Sequence, residues 1–162
     1  MRFAVFHVSS TRRQTMKVAA LLLMTAAGCS QSDAPPDEKL VPVAGSVRFG
    51  GQPTGGVRVL FTPTGSTGGA GAFALTEADG TFKLIHNRSQ KPGIPAGEYI
   101  VQFSRFLMPD GSPIPPDKSP FASGGRESIP PAWSDLGRAG MHNTVTVTPD
   151  GGKPFDFAIP AQ

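Results

Sequence analysis

Residues 93–103 read "GIPAGEYIVQF", and they follow "TEADGTFKLI", residues 76–85, after a short interval. Tyr99, Val101 and Phe103 fall at every second position. Successive side chains of a β-strand point to opposite faces, so these three belong to one apolar face. Pro95-Ala96-Gly97 turns the chain into that strand. Burying an aromatic or branched aliphatic side chain stabilises a fold by about 1.5–3 kcal/mol. Neither segment carries a residue placed for catalysis. The stretch builds a core.

The same period recurs along the chain. Val43, Gly45, Val47 and Phe49 alternate with Ala44, Ser46 and Arg48, and Val57, Val59 and Phe61 with Arg58, Leu60 and Thr62. Phe73 and Leu75 are expected to face inward, ahead of a hairpin at Asp79-Gly80 that leads to Phe82 and Leu84. Val145 and Val147 form a sixth run, and Phe155, Phe157 and Ile159 a seventh. Gly50-Gly51, Asp79-Gly80 and Asp150-Gly151-Gly152 mark turns that call for positive φ. No segment beyond the first thirty or so residues shows a helical period. Seven short strands punctuated by Gly and Pro predict an all-β sandwich. Residues 107–142, rich in proline and glycine, interrupt the rhythm as a long loop, and a connection of that length is either functional or disordered.

The N-terminal residues read differently. Arg12, Arg13 and Lys17 precede the apolar run "VAALLLMTAA", residues 18–27, which ends at Gly28-Cys29. A basic flank, a short apolar stretch and small residues before the cut form a secretory signal over 1–28, with Met16 as an alternative start. The run is shorter than the roughly 20 apolar residues that span a bilayer. Cys29 is the sole cysteine, so no internal disulfide is available. Residues 29–40 read as Cys29 plus a polar, proline-bearing tether, roughly 18 Å long as a coil and about 36 Å when stretched. Residues 41–162 are the predicted domain.

Cleavage would change the electrostatics. Four of the 15 Lys and Arg lie in residues 1–28, whereas all 12 Asp and Glu lie beyond them, so the net charge of +3 becomes −1. The remainder has no basic footprint for nucleic acid. Metal and nucleophile chemistry is equally thin. His86 and His142 have no cysteine or carboxylate partners at ligand spacing and are expected to be solvated loop residues. Ser66 and Ser123 lack the spacing of a nucleophile elbow. "GSTGGAGA", residues 65–72, has no following P-loop lysine and reads as a hairpin loop. Asp79, the one carboxylate suggestive of calcium, is accounted for by its turn.

The order of motifs resembles the carboxypeptidase regulatory-like domains. Gly45/Val47, Gly51/Pro53, Val59/Phe61, Thr76/Asp79/Gly80/Phe82 and Pro95/Ala96/Gly97/Tyr99 stand where that family has G-x-V, G-x-P, V-x-F, T-x-x-D-G-x-F and P-A-G-x-Y. "IPPAW" and "NTVTVTPDGGKPFDFAI" resemble the closing part of small lipoproteins that carry this domain. "AAGC", residues 26–29, resembles a bacterial lipobox, with Ala26 where leucine is usual and Ala27-Gly28 before the cut. The resemblance implies a seven-stranded Greek-key, transthyretin-like β-sandwich. It also implies acylation of Cys29 with palmitate-like chains and attachment to a cell-envelope membrane.

The expected role is therefore binding or envelope structure without catalysis, cofactor or metal. The candidate partners are the membrane, through the lipid, and an envelope protein or polysaccharide. Two rivals are a carbohydrate-binding module and a transthyretin-like hydrolase. The second is disfavoured because the chain ends "FDFAIPAQ" where such enzymes carry Tyr-Arg-Gly-Ser. Trp133, the sole tryptophan, is the candidate binding residue of the long loop, its alternative role being to cover one end of the core.

Overall fold

Alternation of β-branched and aromatic residues with polar ones yields strands wherever it occurs, and turn glycines separate them. The computed structural model describes residues 39–115 and 117–161. In chain order the strands are β1 (Leu40–Val41), β2 (Ala44–Phe49), β3 (Gln52–Pro53), β4 (Arg58–Pro63) and β5 (Ala72–Leu75). They continue with β6 (Thr81–Lys83), β7 (Ile85–His86), β8 (Ile94–Pro95), β9 (Gly97–Ser104) and β10 (Phe106–Leu107). After β11 (Arg126–Glu127) come two single-turn helices, α1 (Pro131–Ser134) and α2 (Leu136–Ala139), then β12 (Thr144–Val147) and β13 (Phe155–Ile159).

One sheet has the order β12-β9-β4-β5-β7, and the other has β13-β2-β3 with β6 also paired to β2. All pairings are antiparallel except β13 with β2, which run parallel. Two short ribbons, β1–β8 and β10–β11, lie outside these sheets. The protein is all-β, and each of the seven sequence runs contains or borders a strand.

Inward-facing residues of both sheets fill the space between them. Val47, Val57, Val59, Phe61, Tyr99, Val101 and Phe103 have no exposed surface at all. Phe155 and Phe157 on β13 bridge to the other sheet, edge-on to Phe61 at 5.9 Å and to Phe103 at 4.9 Å. Such offset aromatic pairs add about 0.5–1.5 kcal/mol beyond the area they bury. Tyr99 brings a polar atom into this core and satisfies it locally, its hydroxyl donating to the Pro95 carbonyl at 2.8 Å.

Gly45 is required by proximity. It pairs with Phe82, and a Cβ there would lie 2.6 Å from the tip of that ring. Positive φ is found at Gly50, Gly51, Gly80, Gly151 and Gly152, as the turns call for.

Several sequence expectations are corrected. Phe73 and Leu75 do not face inward: β5 buries Ala72 and Ala74, while Leu75 is 64% exposed. Register decides this. Ala72 and Ala74 stand opposite the buried Phe61 and Val59, and opposite residues of an antiparallel pair share a face. Asp79-Gly80 does not close a hairpin between sheet neighbours. It carries the chain from β5 in one sheet to β6 in the other, closed by Gly80 N–H to Glu77 O at 2.9 Å. Leu40, the last residue read as tether, pairs with Pro95.

The 107–142 segment is not a plain loop. The β10–β11 ribbon and both helices lie within or beside it, and the helices pack along β9. Proline at the start of α1 and Asp135 at the start of α2 supply the local signals, the latter accepting from Arg138 N–H at 3.0 Å. These helices of four residues are too short to show a period.

Candidate functional site

The register of β5 has a chemical consequence. Its two larger side chains stand on the outer surface, where β5 and β7 approach the β6–β2 part of the other sheet. A groove of about 1150 Å³ runs there. Phe73, Leu75, Ile85 and Phe155 form its apolar walls, with Phe82 and Leu84 beneath. Glu77, Lys83 and Asp156 stand on its rim. Arg58 lies over the Phe73 ring at 5.9 Å, which holds the aromatic face in place.

Asp156 is engaged on both oxygens. Ser46 Oγ donates to one at 2.7 Å and Arg48 to the other at 2.6 Å. The Ser46 hydroxyl, with the Arg48 charge adding to it, holds this carboxyl below the ordinary aspartate range. Asp156 is therefore a fixed anion with its own counter-charge, suited to framing a ligand and unsuited to taking up a proton near neutrality.

Polar side chains elsewhere serve the backbone. Asp79 accepts from Thr81 N–H at 2.9 Å and from Thr81 Oγ at 2.7 Å, which lowers its pKa in the way a turn cap does. Asp110 does the same for Ser112. Glu127 accepts from Ser104 Oγ at 2.6 Å, Arg105 N–H at 2.8 Å and Ile129 N–H at 2.9 Å. That carboxylate pins the β10–β11 ribbon to the end of β9, a role with no signature in the sequence. Among the described residues no group of three or more His, Cys, Asp or Glu could hold a metal ion.

The residues singled out from sequence lie apart from the groove. His86 is corrected: it is 3% exposed, not solvated, and its Nδ1 meets Ser89 Oγ at 3.0 Å in the turn that follows β7. His142, Ser66 and Asp79 are exposed, and Ser123 is half-buried. Trp133 is half-buried against the core, its ring 5.9 Å from that of Phe103. Ala26, Ala27, Gly28 and Cys29 lie outside the described residues. The groove residues Phe73, Leu75, Ile85 and Phe155 were not candidates from sequence, where Phe73, Leu75 and Phe155 read as core.

Compared with protein-family models, with curated proteins and with solved structures, the chain matches none.

Proposed function

We propose that this chain is a membrane-anchored, non-enzymatic lipoprotein whose β-sandwich binds an extended, largely apolar ligand along the β5–β6 groove. The observation that carries the binding role is Leu75, 64% exposed beside Phe73, Ile85 and Phe155 in a groove of about 1150 Å³. Apolar side chains gathered in a concavity and framed by a few charges are the usual make-up of a binding site. Asp156, the groove carboxylate nearest the strand pair, is already held by Ser46 and Arg48, which favours framing a bound ligand over proton transfer.

Strand order β12-β9-β4-β5 in one sheet and β13-β2-β6 in the other, with the last strand parallel to β2, supports a Greek-key, transthyretin-like sandwich of the carboxypeptidase regulatory-like kind. The lipobox-like "AAGC" supports acylation at Cys29 and an envelope location. Anchoring close to the first strand would keep the domain near the membrane surface, where an envelope protein segment could reach the groove.

Two measurements test the proposal. An environment-sensitive apolar dye should bind the protein with a stoichiometry near one, and Leu75→Glu should abolish that signal while the unfolding curve stays in place. Dye binding that survives Leu75→Glu would remove the groove from the reading. Intact mass of the membrane fraction should show a diacylated or triacylated species beginning at Cys29. A soluble, unmodified product cut elsewhere would end the lipoprotein part.

A further inference from the structure

The outer edge of β12 ends its sheet with neither a charge nor a proline. Natural edge strands avoid pairing with other chains through charges, prolines, bulges or a covering segment. Among the described residues β13 carries Asp156, β6 carries Lys83, and β3 contains Pro53. The free side of β7 is covered by its own turn, with His86 N–H bonded to Lys91 O at 2.9 Å and Ile85 bridged to Pro92. β12 reads Thr144-Val145-Thr146-Val147, four β-branched residues with no charge and no proline.

The hydrogen-bond phase of this edge follows from its neighbours. Val101 N–H donates to Asn143 O at 2.9 Å, and bonded pairs recur at every second residue of an antiparallel ladder. Val145 and Val147 therefore turn their peptide groups toward Tyr99 and Gly97. Thr144 and Thr146 turn theirs outward. On the other side of β9, Thr64 N–H bonds Glu98 O at 3.0 Å, which fits the same phase.

We infer that β12 pairs with β12 of a second copy of this chain, antiparallel across a two-fold axis at Val145. In that register Thr144 faces Thr146 of the other copy, and each offers one outward N–H and one outward C=O. Four peptide hydrogen bonds form, and the pattern reads identically from both strands. Opposite residues also keep to the same face, which a shift by one residue would violate. Val145, half-buried in a single copy, meets its own counterpart at the centre. No like charges oppose one another. Self-complementarity is what selects a second copy over an unrelated peptide.

Cysteine trapping in the full chain carrying Cys29→Ser tests the register as well as the contact. The two Val145 positions form a non-bonded pair with Cα atoms about 4.5 Å apart, inside the range a disulfide bridges. The two Thr144 positions are offset by two residues along the strands, about 8.5 Å apart and out of range. Val145→Cys should give a covalent dimer under mild oxidation, and Thr144→Cys alone should not. Adding Thr146→Pro to Val145→Cys deletes an outward N–H without touching a bond to β9. It should lower the dimer yield about tenfold or more. If that variant fails to fold, Thr146→Lys places a charge at each bonded pair and should have the same effect. Equal trapping at residues 144 and 145, or no trapping at 145, would overturn the inference.

Discussion

β9 and β5 flank β4 in the same sheet, and they bury opposite kinds of residue. β9 turns Tyr99, Val101 and Phe103 inward with no exposed surface, whereas β5 turns Ala72 and Ala74 inward and leaves Leu75 64% exposed. Both strands alternate large and small or polar side chains. The difference lies in what faces them across β4 and the core. Phe61, Phe103, Phe155 and Phe157 already crowd the space between the sheets, with ring centroids 4.9 to 6.0 Å apart along the chain of contacts. Alanines are what β5 can place against that cluster. Its larger side chains are left to build the groove. One strand makes the core and the other makes the site, within one ladder of hydrogen bonds.

The strongest way to break this contrast is to empty the β9 side. Phe103 is fully buried and touches both Trp133 and Phe157. Phe103→Ala should cost about 3–5 kcal/mol in urea unfolding, through lost transfer energy and the cavity left behind. A cost below about 1 kcal/mol would mean that this aromatic cluster is not the centre of the core. Trp133→Ala removes only the half-buried outer end of the same cluster and should cost less, about 2 kcal/mol. If stability holds but capture of an envelope partner falls, the tryptophan is a binding residue and the core ends at Phe103.

Filling the β5 side should hurt in the opposite sense. Ala72 has no exposed surface and stands opposite Phe61. Ala72→Leu forces three extra carbon atoms into packed space and should cost about 1–3 kcal/mol by overpacking. A neutral or stabilising effect would show room that the ring contacts deny.

The contrast also explains what the sequence could reveal. Period two was legible in every main strand, and so were the glycine turns, because both are local properties of the chain. Which face of a strand turns inward is not local. For β9 the large residues and the inward face coincide, and for β5 they do not. The register of β4 with β5, Phe61 against Ala72, is set by tertiary pairing that no short window contains. The groove was therefore invisible, since Phe73 and Leu75 read as core. His86 failed for a related reason: a polar residue between turn signals reads as solvated, yet it ends a strand and stands opposite the buried Ala72. The helices of the 107–142 segment are single turns, held by Asp135 and the Phe103–Trp133 contact instead of by an apolar stripe.

The smallest expected effect is the most discriminating. Leu75 is the largest aliphatic side chain of β5, and a reading based on alternation alone makes it a core residue whose truncation costs about 2–5 kcal/mol. The structure makes it a wall of the groove, opposite Arg58 on the outer face of the sheet. Leu75→Thr keeps a residue suited to a strand, removes apolar surface from solvent, and leaves every inward contact in place. Its effect on urea unfolding should stay within about 0.5 kcal/mol. Val101→Thr on β9 is the matched control, because it places a hydroxyl at a position with no exposed surface and should cost about 1–3 kcal/mol. Equal costs at the two positions would mean that β5 is turned over relative to β4. The groove would then close, and the binding role proposed for it would lose its walls.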